Sequence, residues 1–194
     1  LERIRDNNLV SMMRALKAQD WGAGALLKAQ DARLADPVVL SDQAVRTVAR
    51  AVPLDWTDYN GHMNEARYLQ AFGDATDKFM ELVGCDAAYI AAGNSFFTAE
   101  THIRHIDEVH AGHKIHIDTL CVMGEGKKMH LFHQMFEGDR LLATGEHMQI
   151  HVSLETRRAC DPLPAVAAVI QKVAAAHALL PKPAGIGKAV GVKG

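Results

Sequence analysis

The sequence predicts an α+β fold in which an antiparallel sheet wraps around one long central helix, with a helical extension ahead of it. Three observations carry this expectation. Residues 65 to 83 form a strongly amphipathic segment, with Leu69, Phe72, Thr76, Phe79, Met80 and Val83 on one face at i, i+3, i+4 spacing. Beyond it the chain reads as strands separated by glycine turns. One apolar helix face and one apolar sheet face must then bury each other.

In chain order, residues 1–36 read as a helical unit. Ile4, Leu9, Met12, Met13, Leu16, Leu26 and Leu27 recur near helical spacing, and Gly22 and Gly24 after Trp21 divide them into two helices. Asp36-Pro37 ends the unit, because the residue before a proline avoids the helical region. A domain over 42–161 follows and opens with a strand at 45–54. A loop rich in Asp, Asn and Gly runs from Asp55 to Asn64 into the central helix, and Gly84 stands where a C′ glycine belongs. Four strands come next, at 95–105, 113–123, 128–136 and 141–154, with turns at Gly124-Glu125-Gly126 and Glu137-Gly138-Asp139. In the last strand Met148, Ile150, Val152 and Leu154 alternate with His147, Gln149, His151 and Ser153, the period of a sheet with one buried face. Residues 162–194 read as a helix over 165–180, led in by Pro162 and Pro164, and a Gly- and Lys-rich tail expected to be loose.

Composition narrows the function classes. With 194 residues, 48% hydrophobic and 23% charged, the chain is long and apolar enough for a core, which excludes disorder, collagen and coiled coil as descriptions of the whole. A net charge of −2 gives no footprint for nucleic acid or an acidic membrane. No apolar run approaches the roughly 20 residues of a membrane span. Cys85, Cys121 and Cys160 are few, odd in number and widely spaced, so reduced thiols in a cytoplasmic protein are expected. The chain opens mid-pattern on Leu1-Glu2-Arg3 without a signal peptide or an initiator Met, and reads as a piece of a longer natural product or as an artificially shortened chain.

Chemistry concentrates in Asp55-Trp56-Thr57-Asp58-Tyr59-Asn60-Gly61-His62-Met63-Asn64, just ahead of the central helix. A helix N-terminus offers unpaired backbone N–H groups that can polarise a carbonyl and hold an oxyanion. A carboxylate a few residues upstream, here Asp58, can act as nucleophile or as general base to water. Gly61 permits close backbone approach or a positive φ. The same loop also reads as a plain N-capping turn.

Asp58-x-x-Gly61-His62-Met63-Asn64, followed by Ala66-Arg67-Tyr68-Leu69, resembles the signature of hotdog-fold acyl-CoA thioesterases of the 4-hydroxybenzoyl-CoA thioesterase type. The likeness runs from about Val45 to about Asp161 and takes in Glu100-Thr101-His102-Ile103-Arg104-His105, Ala111-Gly112 and Leu131-Phe132-His133. It implies Asp58 as the catalytic carboxylate and a backbone N–H near Asn64 or Glu65 as the oxyanion donor. It implies that His62 and Asn64 shape the loop and contact the thioester or the attacking water, as further catalytic residues. It further implies an active site at the interface of a homodimer or dimer of dimers, with Glu100 and His102 on a contributing strand. An acyl-CoA is then the substrate.

A second resemblance lies at the N-terminus. Leu1-Glu2-Arg3-Ile4-Arg5-Asp6-Asn7-Asn8-Leu9-Val10, running to Gly24, is similar to the C-terminal helices of L-carnitine dehydrogenases, some of which are fused to a hotdog thioesterase domain. The thioesterase of that pathway cleaves betainyl-CoA to glycine betaine and CoA, and the resemblance implies that substrate and a covalent fusion to a dehydrogenase domain. The Rossmann glycine fingerprint is absent, and no cofactor is expected. A trimethylammonium cannot donate a hydrogen bond and is held by aromatic faces and a carboxylate. Trp56 and Tyr59 are the first candidates for such a cage, with Tyr68 also flanking the motif.

The 11 histidines include HxxH pairs, which on a strand point to opposite faces and cannot chelate together, so no metal is expected and exposed strand histidines are the plainer reading. A hotdog thioesterase for another short acyl-CoA is the alternative within the same class, and two other classes compete. A hotdog hydratase needs a paired Asp and His for proton work on an enoyl-CoA, and a non-catalytic acyl-CoA sensor needs an effector domain.

Overall fold

The computed structural model describes residues 43–188 and 190. The helical unit expected over 1–36 lies outside the described residues. The elements are β1 (Val45–Ala51), a 3-10 turn (Leu54–Trp56), α1 (Glu65–Leu82), α2 (Ala87–Ala91), β2 (Asn94–His105), β3 (Lys114–Glu125), β4 (Lys128–Glu137), β5 (Arg140–Ser153) and α3 (Pro164–His177). The strands form one antiparallel sheet in the order β1-β3-β4-β5-β2. The sheet packs around α1, the hotdog architecture.

β1 stops at Ala51, short of the expected Leu54. Its ladder with β3 ends at Ala51↔Lys114, and Pro53, which has no N–H to donate, leads into the 3-10 turn. Asn64 starts α1 by accepting the Ala66 N–H on Oδ1 at 3.0 Å. The buried stripe of α1 is Tyr68, Ala71, Phe72, Ala75, Thr76 and Phe79. Leu69, expected on that stripe, is 48% exposed and lies on the flank of the helix beside β2. The short α2 was not expected; Asp86 caps it through Oδ1 and the Tyr89 N–H at 2.9 Å.

The inward face of β5 is the polar one, which corrects the expectation of exposed strand histidines. His147, Gln149 and His151 are buried, whereas on the opposite face Met148 and Ile150 are only half-buried and Val152 alone of these three is buried. Partners from other elements make this burial affordable. Tyr89 Oη lies 2.9 Å from His151 Nε2, and Gln149 Nε2 donates to Thr98 Oγ1 at 2.9 Å. On β4, His133 is fully buried and bridges the core: its Nε2 is 3.0 Å from Thr76 Oγ1 and its Nδ1 2.8 Å from Thr119 Oγ1, which meets Thr47 Oγ1 at 2.8 Å. Helix α1, β4, β3 and β1 are thus pinned by one polar chain. His147 is the exception, since neither ring nitrogen has a hydrogen-bond partner among the described residues.

Two glycines mark close approaches. A Cβ on Gly145 would stand 2.7 Å from the Phe72 ring, so its absence lets α1 settle onto β5. A Cβ on Gly124 would stand 2.3 Å from Ile170 Cγ2 and 3.2 Å from the Ile170 carbonyl, so its absence lets α3 dock on β3. Val166, Ile170 and Val173 of α3 join Phe79, Val83, Cys121 and Leu131 in one apolar cluster, extending the core beyond the end of α1. In the tail expected to be loose, the Gly187 N–H donates to the Glu146 carboxylate at 2.9 Å. All three cysteines are free, and burial pushes the Cys85 and Cys121 thiols up to about 12.

Candidate active site

The loop between β1 and α1 is built by its own backbone. The Asp58 N–H donates to the His62 carbonyl at 2.9 Å, and the Gly61 N–H donates to the Asp58 carbonyl at 3.0 Å. The Asn60 N–H donates to Asp58 Oδ1 at 2.8 Å, and Gly61 sits at φ 79°. This tight turn holds the half-buried Asp58 by one carboxylate oxygen. The Met63 N–H donates to the Val109 carbonyl at 2.8 Å, and the Asn64 N–H to the Trp56 carbonyl at 2.9 Å. The loop is therefore tied to the β2–β3 connection on one side and to the 3-10 turn on the other.

The first amides of α1 are mostly taken. The Asn64 N–H is bonded to Trp56, the Ala66 N–H to Asn64 Oδ1, and the Arg67 N–H to the Asn64 carbonyl. Among the described residues, the Glu65 N–H has no acceptor. A positively polarised amide at a helix start, with Asp58 in the turn just before it, can hold a negatively charged oxygen.

The other expected residues are dispersed. Trp56 is 4% exposed, and the Arg50 guanidinium lies 4.3 Å from the centre of its ring. Tyr59 is 97% exposed. Tyr68 is buried, with Oη 3.5 Å from the Asp107 carbonyl; burial and the Asp107 charge push its hydroxyl pKa up. Glu100 and His102 lie on edge strand β2, opposite Met148 and Glu146, and line an outer-face pocket with them. Within one chain the structure groups Asp58, Gly61, His62, Asn64 and Glu65, and leaves Glu100 and His102 on the other side of the sheet.

Sequence reasoning missed Glu108 and His110. His62 and His110 face each other across a β-bridge with ring centres 4.6 Å apart, and His62 Nδ1 is 3.3 Å from Glu108 Oε2. This is the group among the described residues that could hold a metal ion. The i, i+2 spacing of Glu108 and His110 was the available signal, because it puts both side chains on one face of an extended segment. His62 pairs with Glu108 rather than with Asp58, so the Asp–His couple of a hydratase is not formed by these two.

A second cleft, of about 380 Å³, runs along the open flank of α1 beside β2, lined by Leu69, Gly73, Thr76, Asp77, His147 and Gln149 among others. Burial and the nearby Asp74 and Glu81 carboxylates raise the pKa of Asp77.

A family description, the Thioesterase-like superfamily, matches residues 52–170, more than half of the chain. The chain belongs to the Thioesterase-like superfamily. It is 60% identical over 197 residues to an L-carnitine dehydrogenase/betainyl-CoA thioesterase of Ruegeria pomeroyi, covering 98% of this chain and 40% of that protein. It is 35% identical over 153 residues to a betainyl-CoA thioesterase of Pseudomonas aeruginosa, covering 77% of this chain and 96% of that one. The chain thus spans about 40% of the length of the Ruegeria relative. A Staphylococcus aureus protein solved in complex with CoA superposes with a TM-score of 0.72 at 21% identity, covering 78% of this chain and 98% of that one, which establishes the shared fold. No helix among the described residues is long and apolar enough to cross a membrane.

Proposed function

We propose that this thioesterase-like chain hydrolyses an acyl-CoA thioester, and that its substrate is betainyl-CoA, yielding glycine betaine and CoA in carnitine degradation. The observation that carries the reading is the Glu65 N–H at the start of α1, which has no acceptor among the described residues and follows directly on the turn that holds Asp58. The names of the Ruegeria and Pseudomonas relatives support the substrate.

The thioester carbonyl oxygen would accept from the Glu65 N–H, which stabilises the charge as the carbon becomes tetrahedral. Asp58 takes the proton of an attacking water, or attacks the carbonyl carbon itself to form an anhydride that water then opens. In either route the C–S bond breaks, CoA leaves as the thiolate and is protonated, and the acid is released. Asn64 holds the helix start in place, and His62 holds the loop through its backbone and Glu108. Tyr59 is the better placed aromatic ring for a trimethylammonium, since the Arg50 cation covers a face of Trp56.

Among the described residues the long edge of β2 has no partner strand, and Leu69 beside it is exposed. Such an edge invites pairing. We read it as the seam of a homodimer, itself free to pair into a dimer of dimers, with Glu100 and His102 near the partner's site. The reading includes a cytoplasmic enzyme joined in its natural chain to a carnitine dehydrogenase domain.

The test is thiol release from betainyl-CoA, acetyl-CoA and a longer acyl-CoA by the wild type and Asp58→Asn. The expected result is preference for betainyl-CoA and a loss of roughly 10²- to 10⁴-fold in kcat in the variant. Broad activity lost with Asp58 would keep the mechanism and discard the substrate. No release from any thioester, or full activity in Asp58→Asn, would overturn the mechanism.

A further inference from the structure

We infer that His62, Glu108 and His110 form a binding site for one divalent cation of the Zn²⁺, Co²⁺ or Ni²⁺ class. The argument is geometric. His62 and His110 are directly opposed in an antiparallel bridge, so their side chains leave the backbone on the same side. Glu108, two residues before His110, points to that side as well. One ligand atom from each of the three residues lies within 4.8 Å of the others. Zinc bonds of about 2.0–2.1 Å in a tetrahedron put neighbouring ligand atoms about 3.3 Å apart. His62 Nδ1 and Glu108 Oε2 already stand at 3.3 Å. The remaining gap to His110 is within reach of rotation of the His62 and Glu108 side chains, which are 31% and 61% exposed.

The second observation concerns the support behind the ligands. His110 Nδ1 lies 3.0 Å from the Gly61 carbonyl. A carbonyl only accepts, so Nδ1 carries the proton and Nε2 is left with the lone pair that a metal needs. A backbone carbonyl behind the non-ligating nitrogen is the usual brace of a metal-bound histidine. Two imidazoles and one carboxylate select a borderline cation over Ca²⁺ or Mg²⁺, and three protein ligands leave a position for water. The site would cross-link two separate segments, the Asp58–Asn64 loop and the β2–β3 connection. Because the Asp58 N–H donates to the His62 carbonyl, fixing His62 also fixes the turn that carries Asp58. His62 and His110 thereby become positioning residues.

The experiment is calorimetric titration of the 194-residue chain with ZnCl₂, after removal of any polyhistidine tag and dialysis against chelator. One cation per chain is expected, and His62→Ala and His110→Ala should each weaken binding by roughly a hundredfold. Glu108→Gln should weaken it as well, and His130→Ala, on the outer face of the sheet, should leave it intact. Co²⁺ should give the visible absorption of a tetrahedral site in the wild type and lose it in His62→Ala. Zn²⁺ should raise the Tm of the wild type and not of His110→Ala. Circular dichroism establishes that the variants are folded. No saturable binding by the wild type, or undiminished binding by the His62→Ala/His110→Ala double variant, overturns the site. The readouts are binding, spectrum and Tm rather than turnover, so their failure is distinct from failure of the thioesterase reading.

Discussion

Replacing His147 with leucine should stabilise the chain, and more at pH 5 than at pH 7. The side chain is 2% exposed and both ring nitrogens lack hydrogen-bond partners among the described residues, a condition that costs roughly 1–3 kcal/mol. Burial also lowers its pKa from 6.5 to about 4. The unfolded chain therefore takes up a proton near 6.5, while the folded chain resists until about 4. The stability contributed by neutral His147 is complete above the unfolded pKa and is lost as pH falls through that window. At about 1.4 kcal/mol per pH unit, the loss between pH 7 and pH 5 comes to about 2 kcal/mol. Leucine removes both penalties, and the cleft beside His147 gives its branched end room. His133, whose pKa is held well below the ordinary histidine range by burial and by His147, titrates in the same direction and leaves the variant a residual slope. Urea unfolding at pH 7, 6 and 5, at fixed protein concentration, measures both effects. The expected gain is roughly 1–2 kcal/mol at pH 7 and about 2 kcal/mol more at pH 5. A pH slope equal to that of the wild type, or a loss of stability at pH 7, would refute the reasoning.

Two further substitutions probe the fold and the helix start. Gly145→Ala puts a methyl 2.7 Å from the Phe72 ring and should cost about 1–3 kcal/mol in urea unfolding. Phe72→Leu in the same chain should recover part of that loss. Asn64→Ala removes the cap on the Ala66 N–H and should cost about 1 kcal/mol, with Asn64→Asp restoring it because an aspartate caps equally well. Equal stabilities for the Ala and Asp variants would show that the cap contributes nothing.

The parts of the fold that were legible in the sequence are those whose signal is local. The spacing predicts α1 over 65–83 and the helix runs Glu65–Leu82, because its period and its following glycine are written in consecutive residues. The four later strands fall within two residues of expectation for the same reason. The facing of β5 was not legible. Alternation shows that two faces differ, but His151 and Gln149 turn inward only because Tyr89 and Thr98 wait there, and those partners lie far away in sequence. Leu69 misled in the same way. Its spacing fits a buried stripe, yet the helix is rotated so that Tyr68 takes the core and Leu69 flanks an open cleft.

The Asp58 turn shows where motif reading stops and geometry takes over. The motif points to the helix start, but that the amide left over is Glu65 depends on Asn64 being engaged by Trp56 and Ala66 by the Asn64 side chain. The histidine argument shows the same limit from the other side. The HxxH rule is sound for one strand: His130 meets Glu146 at 2.7 Å while His133 lies buried in the core. It is silent about residues joined by a bridge between two loops, and His62 and His110 are joined in that way. Their pairing follows from the Met63 N–H to Val109 carbonyl bond beside them, a backbone contact that no side-chain pattern encodes. A reading built on periodicity therefore finds the scaffold and the carboxylate, and leaves the bridged group to the three-dimensional structure.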